Sequence, residues 1–329
     1  MILALRALGV GDLATGVPAL RGLRAAFPRE ELVLAAPAWL APLVDLIGGI
    51  DRVVPTDGLT PRRWRLDPPR LAVNLHGRGP QSHRLLRAAA PAELWAFANA
   101  EAGHPDGPVW IPEEHEVHRW CRMLRHHGVA ADPGDLSLAV PEHAVPRGVT
   151  IIHPGAKSPA RRWPADRFAA VARRLRSAGH RVLVTGSATE HDLRVRVARR
   201  AGLPASAAPV TGLAELAALI AHARVLISGD TGVSHLATAY GTPSVTLFGP
   251  MSPARWGPPD RPYHRALWRG RHSEPGDRPG PGVHPALRAI GVEEVLAAVA
   301  DASTAGNRVP AGACVSDISS PARSTRPPS

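Results

Sequence analysis

The sequence predicts an α/β protein of two doubly wound domains facing each other across a cleft. Two observations carry this: short apolar strand patterns alternate with amphipathic helix patterns in two separate blocks, and a Pro- and Gly-bearing stretch at residues 128–148 interrupts the alternation between them. A chain of 329 residues fits about two domains. The expected boundaries are 1–145 for the first domain and 146–290 for the second. A closing helix at 291–302 and a disordered tail at 303–329, rich in Ser, Thr, Pro and Arg, complete the chain.

In the first block "ILALRA" (2–7), "LVLAAP" (32–37) and "LAVNLHG" (71–77) read as strands. Leu13, Val17, Leu20, Leu23 and Phe27 recur at helical spacing after the first of them, with Pro18 either kinking that helix or lying in its first turn. A second helix enters from "PVWIPEEHEVHRWCRMLRHHG" and stops near Gly128. In the second block "VTIIHPG", "RVLVTGS", "RVLISGD" and "SVTLFGP" are strands, and "ADRFAAVARRLRSAG" is an amphipathic helix with Gly179 as its stop. "VEEVLAAVADA" (292–302) is the last helix.

The net charge of +11 invites a nucleic-acid reading. Lys157 is the only lysine, and arginine, alanine and proline are abundant throughout, the pattern of a GC-rich genome. Four Phe and two Tyr leave few stacking platforms, so no specific nucleic-acid partner is expected. No apolar run approaches the ~20 residues of a membrane-spanning helix. The N-terminus lacks a signal-peptide pattern. Cys121 and Cys314 are far apart, which fits a reducing cytoplasm.

Open α/β sheets bind ligands at the carboxyl ends of their strands, and three loops there carry unusual residues. "RALGVGDLATG" (6–16) has two glycines before Asp12 but no dinucleotide fingerprint. Asp12 reads either as a helix cap or as a general base on the cleft floor. "HPGAKSPARRWP" (153–164) offers Gly155, Lys157, Ser158 and Arg161 as donors to an anion at a helix start; the alternative is a solvated basic loop. "SGDTGVSHLATAYGTPSVTLFGP" (228–250) packs Asp230, Thr231, Gly232 and His235 into one strand-to-helix turn, suited to cradling a diphosphate; separately, each residue also has a capping or packing explanation. There is no P-loop lysine motif, zinc-protease motif or nucleophile elbow, and no Asp-x-Asp for a bridging divalent ion.

Together these loops resemble glycosyltransferase family 9, the ADP-heptose:lipopolysaccharide heptosyltransferase family. "GVGDLATGVPALRGLRAAFP", "IIHPGAKSPARRWPADRFAAVARRL" and "ISGDTGVSHLATAYGTPSVTLFGP" carry the resemblance, in matching order over roughly residues 1–300. It implies a GT-B fold of two Rossmann-like domains, the first for the acceptor and the second for the nucleotide-sugar donor, with a final helix crossing back onto the first. It also implies inverting transfer without a metal or other cofactor. Asp12 would be the catalytic base. Arg161 stands where the family usually has a lysine at the donor phosphates. Asp230, Thr231, Gly232 and His235 match the phosphate and sugar turn, and Leu213 in "VTGLAEL" matches the base pocket. The expected partners are a nucleotide-sugar donor and a saccharide or glycolipid acceptor, met in the cytoplasm or at the inner membrane face. A non-catalytic nucleotide-sugar binder and a GT-B epimerase are the rival readings.

Overall fold

The computed structural model describes residues 1–271 and 282–306. Cys314 and positions 307–329 of the expected tail lie outside the described residues.

Residues 1–130 form β1 (Ile2–Leu5), α1 (Val10–Ala26), β2 (Leu32–Ala36), α2 (Ala41–Ile47), β3 (Arg52–Pro55), β4 (Leu71–Asn74), α3 (Gln81–Arg87), β5 (Glu93–Trp95) and α4 (Glu116–His126). Their strands make one parallel sheet in the order β3-β2-β1-β4-β5. Every residue of β1, β2 and β4 is buried, because helices cover both faces of the sheet. The predicted stripe on α1 is real: Leu13, Val17, Leu20 and Leu23 are buried. Pro18 sits inside that helix, well past its first turn. Gly128 takes a φ of 77° just past α4, the left-handed conformation that ends a helix at low cost.

The second sheet is built from β6 (Thr150–His153), α5 (Ala165–Ser177), β7 (Val182–Val184), α6 (His191–Arg200), α7 (Leu213–Ala221), β8 (Val225–Gly229), α8 (Gly232–Ala239), β9 (Ser244–Phe248), α9 (Pro253–Trp256) and β10 (His264–Trp268). It is again parallel, in the order β10-β9-β8-β6-β7. Short α10 (Pro285–Arg288) and long α11 (Val292–Gly306) end the described chain.

Each sheet reverses its strand order beside its first strand: between β1 and β4 in one, between β6 and β8 in the other. Loops leaving those strand ends diverge and open a crevice. The two crevices face one another because α1 packs on α8 and α2 on α7, which merges part of both halves into one apolar core.

Two expectations need correction. The closing helix does not cross back onto the first sheet: α11 packs on α5, β8, β9 and β10, burying Val295, Ala298, Val299 and Ala302 against the second core. That apolar face is satisfied locally, so nothing drives it across the cleft. The helix also continues through Ser303 to Gly306, where the tail was expected to begin.

Candidate active site

A cleft of about 780 Å3 runs between the two crevices. Its walls include Asp12 from the first half and Lys157, Arg161, Leu213, Asp230, Thr231, Gly232 and His235 from the second. Residues separated by more than two hundred positions in the sequence therefore share one cavity.

Asp12 lies in the first turn of α1, and its Oδ2 accepts the Gly9 N–H at 3.2 Å. It thus caps the helix start and faces the cleft at once; the two readings of this residue are compatible. Beneath it Arg6 is fully buried. The Arg6 guanidinium donates to the Asp12 carbonyl, to the Leu75 carbonyl and to Thr15 Oγ1 (2.9 Å), and reaches Glu116 Oε1 at 3.5 Å. The Trp120 ring covers its face at 4.8 Å. Such a charge is tolerable in a core only because it is paired and hydrogen-bonded this fully.

Opposite Asp12, α8 begins at Gly232, with Thr231 before it in extended backbone making no side-chain capping bond. The first N–H groups of a helix have no acceptor within it and carry its positive pole, so this turn suits an anion. A Cβ on Gly232 would lie 2.7 Å from Val10 Cβ, and one on Gly11 would lie 2.8 Å from His235 Cδ2. Glycine at both positions lets the two helix starts touch.

The buried Asp230 does not cap α8. Arg161 Nη2 donates to its Oδ2 at 2.6 Å and to its carbonyl at 2.7 Å. This ties the loop after β6 to the loop after β8 and holds a guanidinium at the cleft wall. Lys157 is exposed on the same wall, and Arg162 is braced by the Ala156 carbonyl at 2.8 Å. Leu213 opens α7 and shares its stretch of wall with Thr211 and Leu216.

His235 stacks edge-to-face on Trp256 with ring centres 6.0 Å apart. Burial pulls its pKa down to about 4; Asp12 opposes the shift, while His115, Arg161 and Arg6 reinforce it. The imidazole is therefore neutral at neutral pH.

Gly155 and Ser158, expected as donors, do not line the cleft. A Cβ at Gly155 would fall 2.0 Å from Glu190 Oε1, so this glycine makes room for that carboxylate. Ser158 Oγ turns inward and accepts the Ala160 N–H at 3.3 Å, starting a short 3-10 turn.

Sequence reasoning missed several wall residues. Glu190 accepts from the Ser187 N–H and hydroxyl, both at 2.9 Å, and its Oε2 lies 3.8 Å from His153 Nε2. His153 Nδ1 meets Thr185 Oγ1 at 3.0 Å. Burial lowers the His153 pKa, with Glu190 partly opposing. For Glu190 burial works against ionisation, but the Ser187 N–H and His153 outweigh it and hold the carboxyl below its ordinary range. The "SATE" capping pattern at 187–190 was a readable signal for this turn. Trp39, 55% exposed, also reaches the cleft from the first half, and no local pattern marked it.

Comparison with known proteins places this geometry. The model of glycosyltransferase family 9 (heptosyltransferase) matches residues 113–274. Lipopolysaccharide heptosyltransferase 2 of Salmonella typhimurium is 25% identical over 293 residues, covering 74% of this chain and 81% of that protein. The structure of the ADP-heptose lipopolysaccharide heptosyltransferase II of E. coli superposes with a TM-score of 0.71 at 23% identity, covering 92% of this chain and 98% of that one. An E. coli heptosyltransferase with ADP superposes at 0.67 and 17% identity, covering 94% and 99%. The two facing doubly wound sheets are thus the GT-B arrangement. With its family signature covering every cleft residue of the second half, the chain belongs to glycosyltransferase family 9 and is a glycosyltransferase.

Proposed function

We propose that the protein transfers heptose from ADP-heptose to a hydroxyl of a saccharide or glycolipid acceptor, with inversion and without a metal. The observation that carries this reading is the apposition of Asp12 and the Thr231–Gly232 helix start across one cleft. The names of its relatives supply the donor and the lipopolysaccharide class of acceptor.

In this reading the diphosphate lies on the α8 start. Arg161 and Lys157 supply positive charge there, and Thr211, Leu213 and Leu216 surround the base. Asp12 takes the proton of the acceptor hydroxyl as its oxygen attacks the anomeric carbon. The bond to the diphosphate breaks on the opposite face, so a single displacement inverts the centre. Charge then builds on the leaving diphosphate beside the Arg161 guanidinium and the α8 N–H groups that line the cleft; fixed donors of this kind stabilise developing charge without reorganising. Neutral His235 contributes a hydrogen bond at the same place. Among the described residues no helix is long and apolar enough to cross a membrane. A glycolipid acceptor would then be met from the side, with the exposed Arg63 and Arg65 of the first half available to an anionic inner-membrane surface.

The test is a thermal-shift panel of ADP, UDP, GDP and CDP, followed by ADP-heptose with lipopolysaccharide that lacks its heptoses. A ligand selective for the folded state raises the melting midpoint. A shift with ADP and transfer that persists in EDTA are the expected results. A shift only with another nucleotide would overturn the donor. Conversion of the donor sugar without acceptor would favour an epimerase.

A further inference from the structure

The donor half uses the crevice between β6 and β8, where its strand order reverses. The first sheet has the equivalent crevice between β1 and β4. Asp12 stands on one lip of it. On the other lip, just past the end of β4, is His76.

One guanidinium brings the two lips together. Arg6 donates to the carbonyl of Asp12 and to that of Leu75, the residue immediately before His76. The His76 ring accordingly feels both the Arg6 and the Asp12 charge.

A buried polar network holds the turn that carries the ring. The His76 N–H donates to Asn74 Oδ1 at 3.1 Å. Asn74 Nδ2 in turn donates to the Gly77 carbonyl at 3.0 Å and to Ser82 Oγ at 2.9 Å, and lies 3.2 Å from His83 Nδ1. Asn74, Ser82 and His83 are all buried. A turn braced by this many buried groups is built to aim something. Yet the ring it carries has its Nδ1 buried and with no hydrogen-bond partner among the described residues. Buried polar atoms are seldom left so, and each instance needs a cause. His76 is also absent from the walls of the donor cleft.

We propose that His76 is a further substrate-binding residue, hydrogen-bonding the acceptor beside the hydroxyl that Asp12 deprotonates and so aiming that hydroxyl at the base. The ligand class is a polyol, whose neighbouring oxygen can either donate to or accept from a neutral imidazole. The assignment rests on Asp12 acting as base in the reaction proposed above.

The experiment measures transfer from ADP-heptose to heptose-free lipopolysaccharide for wild type, His76→Ala and His76→Asn, with ADP affinity and melting temperature for each. Asn places an amide near the position of Nδ1. Alanine is expected to lower kcat/KM for the acceptor at least tenfold and to leave ADP affinity within twofold. Asparagine is expected to recover a substantial part of that loss. Transfer by His76→Ala within twofold of wild type overturns the assignment. So does a loss shared equally by ADP binding, or an asparagine variant no better than alanine. Wild-type protein that transfers no sugar from ADP-heptose overturns the heptose-transfer reading proposed above, and His76 falls with it; an active wild type beside an equally active alanine variant removes His76 alone.

Discussion

At the residue scale, Asp12 has two partners to satisfy: the Gly9 N–H that it caps and the acceptor proton that it is proposed to take. Asn keeps the cap and removes the basicity. Asp12→Asn is therefore expected to abolish transfer while ADP affinity, measured by calorimetry, stays within a few fold. Arg161 differs in kind, because its guanidinium holds the Asp230 carboxylate and carbonyl while presenting charge to the cleft. Removing it takes away charge-assisted bonds of about 1.5–3 kcal/mol. Arg161→Ala should accordingly weaken ADP binding about tenfold or more, and unchanged affinity would place the diphosphate elsewhere. His235 supplies a third check. Its pKa of about 4 reflects burial among cations. A bound diphosphate adds negative charge, so its resonances in an NMR titration should show that value rising when ADP is present.

At the element scale, the close approach of the α1 and α8 starts is set by two glycines. A methyl on Gly232 meets Val10 Cβ at 2.7 Å, and one on Gly11 meets the His235 ring at 2.8 Å. Either helix must shift to admit it, and overpacking of this kind costs about 1–3 kcal/mol. Gly232→Ala should lower the melting temperature modestly but cut turnover much more, because Asp12 and the α8 start proposed to hold the diphosphate move apart. Equal, small effects on both would mean that the helix starts need not touch for catalysis. The strands and long helices themselves were legible beforehand. Fully buried β1, β4 and β8 were apolar runs, broken only at their carboxyl ends by Asn74 and Ser228, and the α1 stripe showed its spacing. β3, β5 and β10 were not read as strands. They are edge or near-edge strands of three to five residues, only partly buried, so no apolar run marks them.

At the scale of the whole molecule, burial lowers the pKa of many of the described histidines, and it takes His76, His127, His235 and His264 down to about 4. In the unfolded chain they would titrate near 6.5. Between those values the unfolded state binds more protons, so stability is fully present above pH 6.5 and falls as pH drops toward 4. Melting temperatures recorded across that range should decline steeply; a flat profile would show that these rings titrate like exposed ones. The candidate site could be read in the chain as three loops, since Asp12, Arg161 and the Asp230–His235 turn are local patterns on strand-to-helix turns. Their sharing of one cleft is a different matter. It depends on α1 meeting α8, a contact between residues more than two hundred apart that no periodicity encodes. Gly155 shows the limit from the other side: it looked like an anion loop and proved to be space for Glu190, a side chain on another strand's loop. What the sequence determined alone was the buried inner strands, the long helices and the turns between them that line the cleft, because backbone propensity and apolar spacing act over a few residues. What only the tertiary structure decided was which turns face each other, the Arg6 clamp beneath Asp12 and His76, and the seat of α11 on the second sheet. Those follow from burying apolar surface and pairing buried charge between segments distant in the chain.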